Sequence, residues 1–131
     1  MSGSLAAPGS AGASPPQVEI AVVEGEHVVA GGRAQVRWHV QLRGAWRSVA
    51  SVPGADRELL SPSPGTVWEA RIRLRVPVGT RLAREESRPR RETRDALAHL
   101  EGARRGPARR VTRVEYTAGR DGRLARAAPS R

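Results

Sequence analysis

From Arg33 to Arg43 the chain alternates without a break. Ala34, Val36, Trp38, Val40 and Leu42 are interleaved with Arg33, Gln35, Arg37, His39, Gln41 and Arg43. Successive side chains leave a pleated backbone on opposite sides, so a period of two over this length specifies an extended strand. It also demands that one face be covered and the other wet. A second run obeys the same rule: Trp68, Ala70, Ile72, Leu74, Val76 and Val78 point one way, and Glu69, Arg71, Arg73 and Arg75 the other. Pro77 offers no amide donor, so this strand is expected to lie at an edge there or to be leaving its sheet.

Weaker elements flank these two. Gln17 to Glu24 places Val18, Ile20 and Val22 on one face, and Gly31-Gly32 supplies a turn before the alternating run. Ala45 to Val52 is compatible with a shorter strand. Pro53 to Gly65 carries the turn-forming residues of a loop, although Leu59-Leu60 within it must find cover. A short helix is expected near residues 93–105, with Thr93 as cap, Asp95 in the first turn, Leu97 and Leu100 on the inner face and Gly106 just beyond the end. Arg109 to Thr117 and Arg123 to Ala127 follow as a hairpin around the Gly-rich gap at 118–122. The expected fold class is mainly β (α+β): a small antiparallel sheet, or a partly open OB-like barrel, of about five to six strands with one short helix.

Apolar content limits the core. Leu, Ile and Val number 25 of 131 residues and there is no Phe; 19 of the 25 fall between residues 17 and 82, and five after residue 82. The first stretch can fold around its own apolar face, whereas the second must lean on the first or on a partner. The organisation expected is a flexible Gly/Ser/Ala/Pro tail at 1–16, a single small basic domain at 17–127 and a disordered end at 128–131.

Charge is distributed unevenly. All 23 basic residues are arginine, and 18 of them lie after residue 70. Residues 1–70 carry a net −1 and residues 71–131 a net +11. Lys, Asn, Phe and Cys are all absent while Ala, Arg, Gly and Pro abound, the bias of a GC-rich genome, so the choice of Arg over Lys is not itself a recognition signal. The net charge is a signal. It makes nucleic acid (DNA or RNA) or an acidic protein the natural partner. The absence of Cys excludes disulfides and thiolate metal sites. Neither a secretory signal nor an apolar run of membrane-spanning length is present, so no membrane partner and a cytoplasmic location are the expectations.

Two arginine groups stand out as candidate anion sites. Arg71, Arg73 and Arg75 share one strand face at ~6.6 Å intervals, a spacing that can follow a phosphate backbone, and Arg37 would widen that face. The alternative is a solvated face whose charge protects an edge. Arg88, Arg90, Arg91 and Arg94 cluster at the expected helix start, where cations oppose the helix dipole unless an anion binds; Glu85, Glu86 and Asp95 are the competing partners. Arg104, Arg105, Arg109 and Arg110 would sit at and beyond the helix C-terminus, where the dipole favours cations. Trp38 and Trp68 fall on apolar strand faces, which leaves Trp46 and Tyr116 as exposed platforms and favours backbone contacts over base stacking.

Nothing points to catalysis. His27, His39 and His99 have no metal-ligand spacing, and no Walker loop, nucleophile elbow or dinucleotide fingerprint occurs. The expectation is a non-enzyme without cofactor or metal: a nucleic-acid-binding module using arginine–phosphate contacts with little sequence specificity. The alternative is a structural or adaptor subunit whose basic C-terminal half docks on an acidic partner.

Overall fold

The computed structural model describes residues 15–90 and 108–128. Eight strands make up 69% of it: β1 (Gln17–Val29), β2 (Gly32–Leu42), β3 (Ala45–Ser48), β4 (Asp56–Leu60), β5 (Thr66–Pro77), β6 (Arg81–Pro89), β7 (Arg109–Ala118) and β8 (Leu124–Arg126). A 3₁₀ turn, Val49–Ser51, follows β3. Every strand pair is antiparallel. The order across the sheet is β4-β5-β1-β2-β6-β7-β8, with β3 attached to β2, and the sheet curls into a half-barrel.

The mainly β class agrees with the sequence, but the strand count exceeds the expected five to six. Two strands account for the difference. β4 lies within the stretch read as a loop; its Asp-Arg-Glu-Leu-Leu has no apolar period because nothing covers it, and Leu59 is 68% exposed. It is a strand by virtue of its backbone pairing with β5, from Asp56↔Arg73 to Leu60↔Glu69. β6 has Leu82 and Ala83 as its only fully buried side chains. Pairing on both edges, to β2 and to β7, holds the rest of it extended. The expected helix near 93–105, most of the 1–16 tail and nearly all of the 128–131 end lie outside the described residues. Pro77 ends β5 as expected, and the next amide, of Val78, donates to the carbonyl of Pro16 at 2.9 Å.

The curl originates where β1 and β2 part. They pair from Val29↔Gly32 to Gly25↔Val36 and no further. Past that point β2 continues beside β6, and β3 occupies the β2 edge that β1 has left. β1 stays on β5 down to Gln17↔Pro77. Glu24, 1% exposed, fills the fork. Its Oε2 accepts the Trp38 amide at 2.8 Å, and the Trp38 indole donates to the Val23 carbonyl at 3.2 Å. A carboxylate thus replaces the ladder acceptor that the departing strand withdraws. Gly25 is required beside it, since a Cβ there would lie 2.8 Å from the Trp68 carbonyl oxygen.

Strand twist accumulates along β1, so Ile20 and Val22 come to face the same interior as Val36, Trp38 and Val40. One cluster results. Ile20, Val22, Ile72, Leu74 and Val76 come from β1 and β5; Val36, Trp38, Val40, Leu82 and Ala118 come from the other layer, with Val49 beneath. On the open side the β7–β8 turn touches β1: Gly122, at φ 81°, sits so close that a Cβ would be 2.7 Å from the Glu19 carbonyl oxygen.

Candidate nucleic-acid interface

The first candidate group is placed as its alternation requires. Arg71, Arg73 and Arg75 point away from the core that Ala70, Ile72, Leu74 and Val76 enter. β4, however, brings carboxylates to the same face. Glu58 Oε1 lies 3.3 Å from Arg71 Nη1 and 3.8 Å from Arg73 Nη2, Asp56 is opposite Arg73, and Glu19 is opposite Arg75 on β1. The row is therefore an alternation of cations and anions across three strands.

Arg37 does not extend it. The register Glu24↔Ala70 places Arg37, whose Nη1 is 3.7 Å from Glu24 Oε1, on the Trp68 side of β5 and away from the ladder. Its guanidinium lies 4.9 Å from the Trp68 ring centroid, with Arg57 at 5.6 Å from the same ring, a cation–π contact on each count. Trp68 is only partly buried; its indole donates to Glu26 Oε1 at 3.1 Å. That bond holds the Glu26 carboxyl below its ordinary pKa against the opposing effect of desolvation, helped by Gln35 and Arg33.

The second group is partly in view. Arg91 and Arg94 lie outside the described residues. Arg88 lies at the end of β6 and Arg90 just past it, and the β6–β7 ladder carries them onto the start of β7: Arg88 stands directly opposite Arg110, Pro89 opposite Arg109, and the Arg90 amide donates to the Ala108 carbonyl at 2.8 Å. Like charges opposed across a ladder repel. Arg88 has Glu86 at 3.5 Å, which that carboxylate shares with Arg84 at 3.3 Å.

Arg109 is bound differently. Its Nε donates to Ser87 Oγ at 2.6 Å, and its Nη2 donates to the carbonyls of Arg33 at 2.7 Å and Ser87 at 3.0 Å. All three acceptors are neutral, so the guanidinium is held in place with its charge intact. The Gly31–Gly32 turn packs on Pro89 beside it.

Arg109 and Arg110 open β7, the strand the sequence places at Arg109 to Thr117, and the helix expected before them lies outside the described residues. The strand is legible in the sequence; its partner β6 is not. Further along, the same two strands are well compensated. Arg81 meets Glu115 at 2.7 Å, and Arg113 meets Glu85 at 2.8 Å. The bond from Arg81, ahead of that from Arg113, lowers the Glu115 carboxyl below its ordinary pKa.

Of the two expected stacking platforms, Trp46 is exposed, at 37%, with the Arg113 guanidinium 4.5 Å from its ring centroid. Tyr116 is half-buried against Trp38, with centroids 5.4 Å apart. Of the histidines, His27 Nδ1 contacts Thr66 Oγ1 at 3.3 Å and His39 Nδ1 lies 3.5 Å from Glu85 Oε1, while His99 lies outside the described residues. Among the described residues no three His, Cys, Asp or Glu side chains group as metal ligands, and no helix is long and apolar enough to cross a membrane. In comparisons with known proteins, no family model, no curated protein and no solved structure matches the chain.

Proposed function

We propose that the chain is a non-enzymatic nucleic-acid-binding module that holds DNA or RNA through arginine–phosphate contacts at the β6–β7 end, with little sequence specificity. The observation that carries this reading is the Arg88–Arg110 opposition beside an Arg109 fixed by neutral acceptors. A phosphate seated between the opposed guanidiniums converts their repulsion into charge-assisted hydrogen bonds. Arg109, already immobilised, gives up little side-chain freedom on binding. Residues 88–110 hold eight arginines against three acidic residues, a net +5, which is half of the chain's +10.

The Arg71–Arg75 row contributes less, because Glu58 and its neighbours already answer it. Low specificity follows from contacts to phosphates, which are the same at every base. An OB-like use of the curled sheet, in which elements at one rim grip the backbone, suits this placement.

The test is titration of labelled DNA and RNA oligonucleotides at two salt concentrations. The logarithmic salt slope is expected to fall by about 0.7–0.9 per phosphate contact removed. Arg88→Gln combined with Arg110→Gln should lose one to two such contacts, and Arg71→Gln combined with Arg73→Gln fewer. Absence of binding at low salt, or a slope untouched by the first pair, ends this reading.

A further inference from the structure

β7 is ten residues long, but β8 covers only its far end. Tyr116↔Arg126, Thr117↔Ala125 and Ala118↔Leu124 pair, and the Ala127 amide adds one bond to the Glu115 carbonyl at 2.9 Å. From Arg109 to Val114 no strand lies on the outer edge of β7 among the described residues. The direction of its backbone groups follows from the bonds at either end. Ala118 donates to Thr80, and Ala108 accepts from Arg90, so even-numbered residues face β6. The outward Glu115 carbonyl confirms the alternation. Val111 and Arg113 therefore turn their N–H and C=O groups to solvent. Arg109 to Arg113 are exposed one after another, without the in–out alternation of a covered strand.

An open row of this kind is a template for another strand. Pairing with a second copy of the same edge is opposed by charge, since Arg109, Arg110 and Arg113 would meet their own kind. The same charge favours an acidic chain. We infer that the outer edge of β7 accepts an extended acidic segment of a partner protein by strand addition. Arg109, Val111 and Arg113 share one face and Arg110, Thr112 and Val114 the other. A segment with carboxylates at alternate-face positions flanking one apolar residue sets that residue on Val111, which is 61% exposed. Arg113 is already shared by Glu85 and Glu115, so on this face the attraction is concentrated at Arg109. Arg126 and Arg81 line a groove of about 530 Å³ beside the same edge. Nucleic acid has no amide row to complete the ladder, so this inference stands on the backbone and apart from the phosphate reading.

The experiment uses the full chain and a labelled peptide, Thr-Glu-Thr-Val-Thr-Glu-Thr, with a twin of identical charge N-methylated at alternate amides. Anisotropy is expected to show the parent binding and the twin weaker by about tenfold or more, the effect of losing one or two ladder hydrogen bonds. Val111→Pro removes an outward donor without touching the β6 ladder and should weaken the parent peptide alike, with DNA affinity unchanged. Hydrogen exchange at Val111 and Arg113 should slow on peptide binding. Equal affinity of parent and twin would reduce the contact to charge attraction and overturn the inference, as would unprotected amides at those two positions. Loss of DNA binding alone in other variants leaves it standing and removes only the phosphate reading.

Discussion

At the scale of single residues, Glu24 has the greatest leverage. It is the acceptor for a buried amide at the fork between β1 and β2, so Glu24→Ala leaves the Trp38 N–H without a partner. The cost should be about 1–3 kcal/mol, the penalty of an unsatisfied buried donor, and Glu24→Gln, which retains an acceptor oxygen, should cost less. Urea midpoints of the three proteins check this ranking. Glu26 and Glu115 supply a pH dependence. Both carboxyls are held below their ordinary 4.5, Glu26 chiefly by the Trp68 indole and Glu115 chiefly by Arg81. A depressed folded-state pKa means stability that is fully present above the unfolded value and lost as pH falls through the folded one. Melting temperature should therefore hold steady down to the ordinary carboxylate value and decline below it. Glu26→Gln and Glu115→Gln should each flatten that decline, and a slope unchanged in both variants would contradict the assignment.

Among the strands, β4 and β6 show where local pattern stops being informative. Arg33–Arg43 and Trp68–Val76 were legible because burial on one face imposes a period of two. β4 buries neither face, and β6 is buried mostly by its neighbours' ladders, so neither imposes that period. The role of β4 is electrostatic as well as structural, since its Glu58 answers Arg71 and Arg73. Glu58→Gln should change stability by less than about 1 kcal/mol, as for other exposed pairs. It should at the same time raise low-salt affinity for an oligonucleotide by freeing two guanidiniums. Chemical denaturation and the salt titration measure the two effects on one variant; unchanged affinity would show that the ladder is no reserve of binding charge.

Across the whole molecule, the two layers share one core, and Leu82, fully buried, sits within it. Leu82→Ala should cost about 2–5 kcal/mol, with tryptophan fluorescence and circular dichroism reporting one coincident transition; separated transitions would mean the layers unfold independently. The sequence alone determined that the alternating runs are strands, which of their faces are buried and which half of the chain is basic, because side-chain parity and composition are local properties. Tertiary structure decided which arginines keep their charge available. Arg71 finds Glu58 across 13 positions, Arg109 finds the Arg33 carbonyl across 76, and Arg88, with a share of Glu86, is set opposite another arginine. Compensation of a charge depends on distances of a few ångströms between residues far apart in the chain, and the registers of the β4–β5 and β6–β7 ladders set those distances.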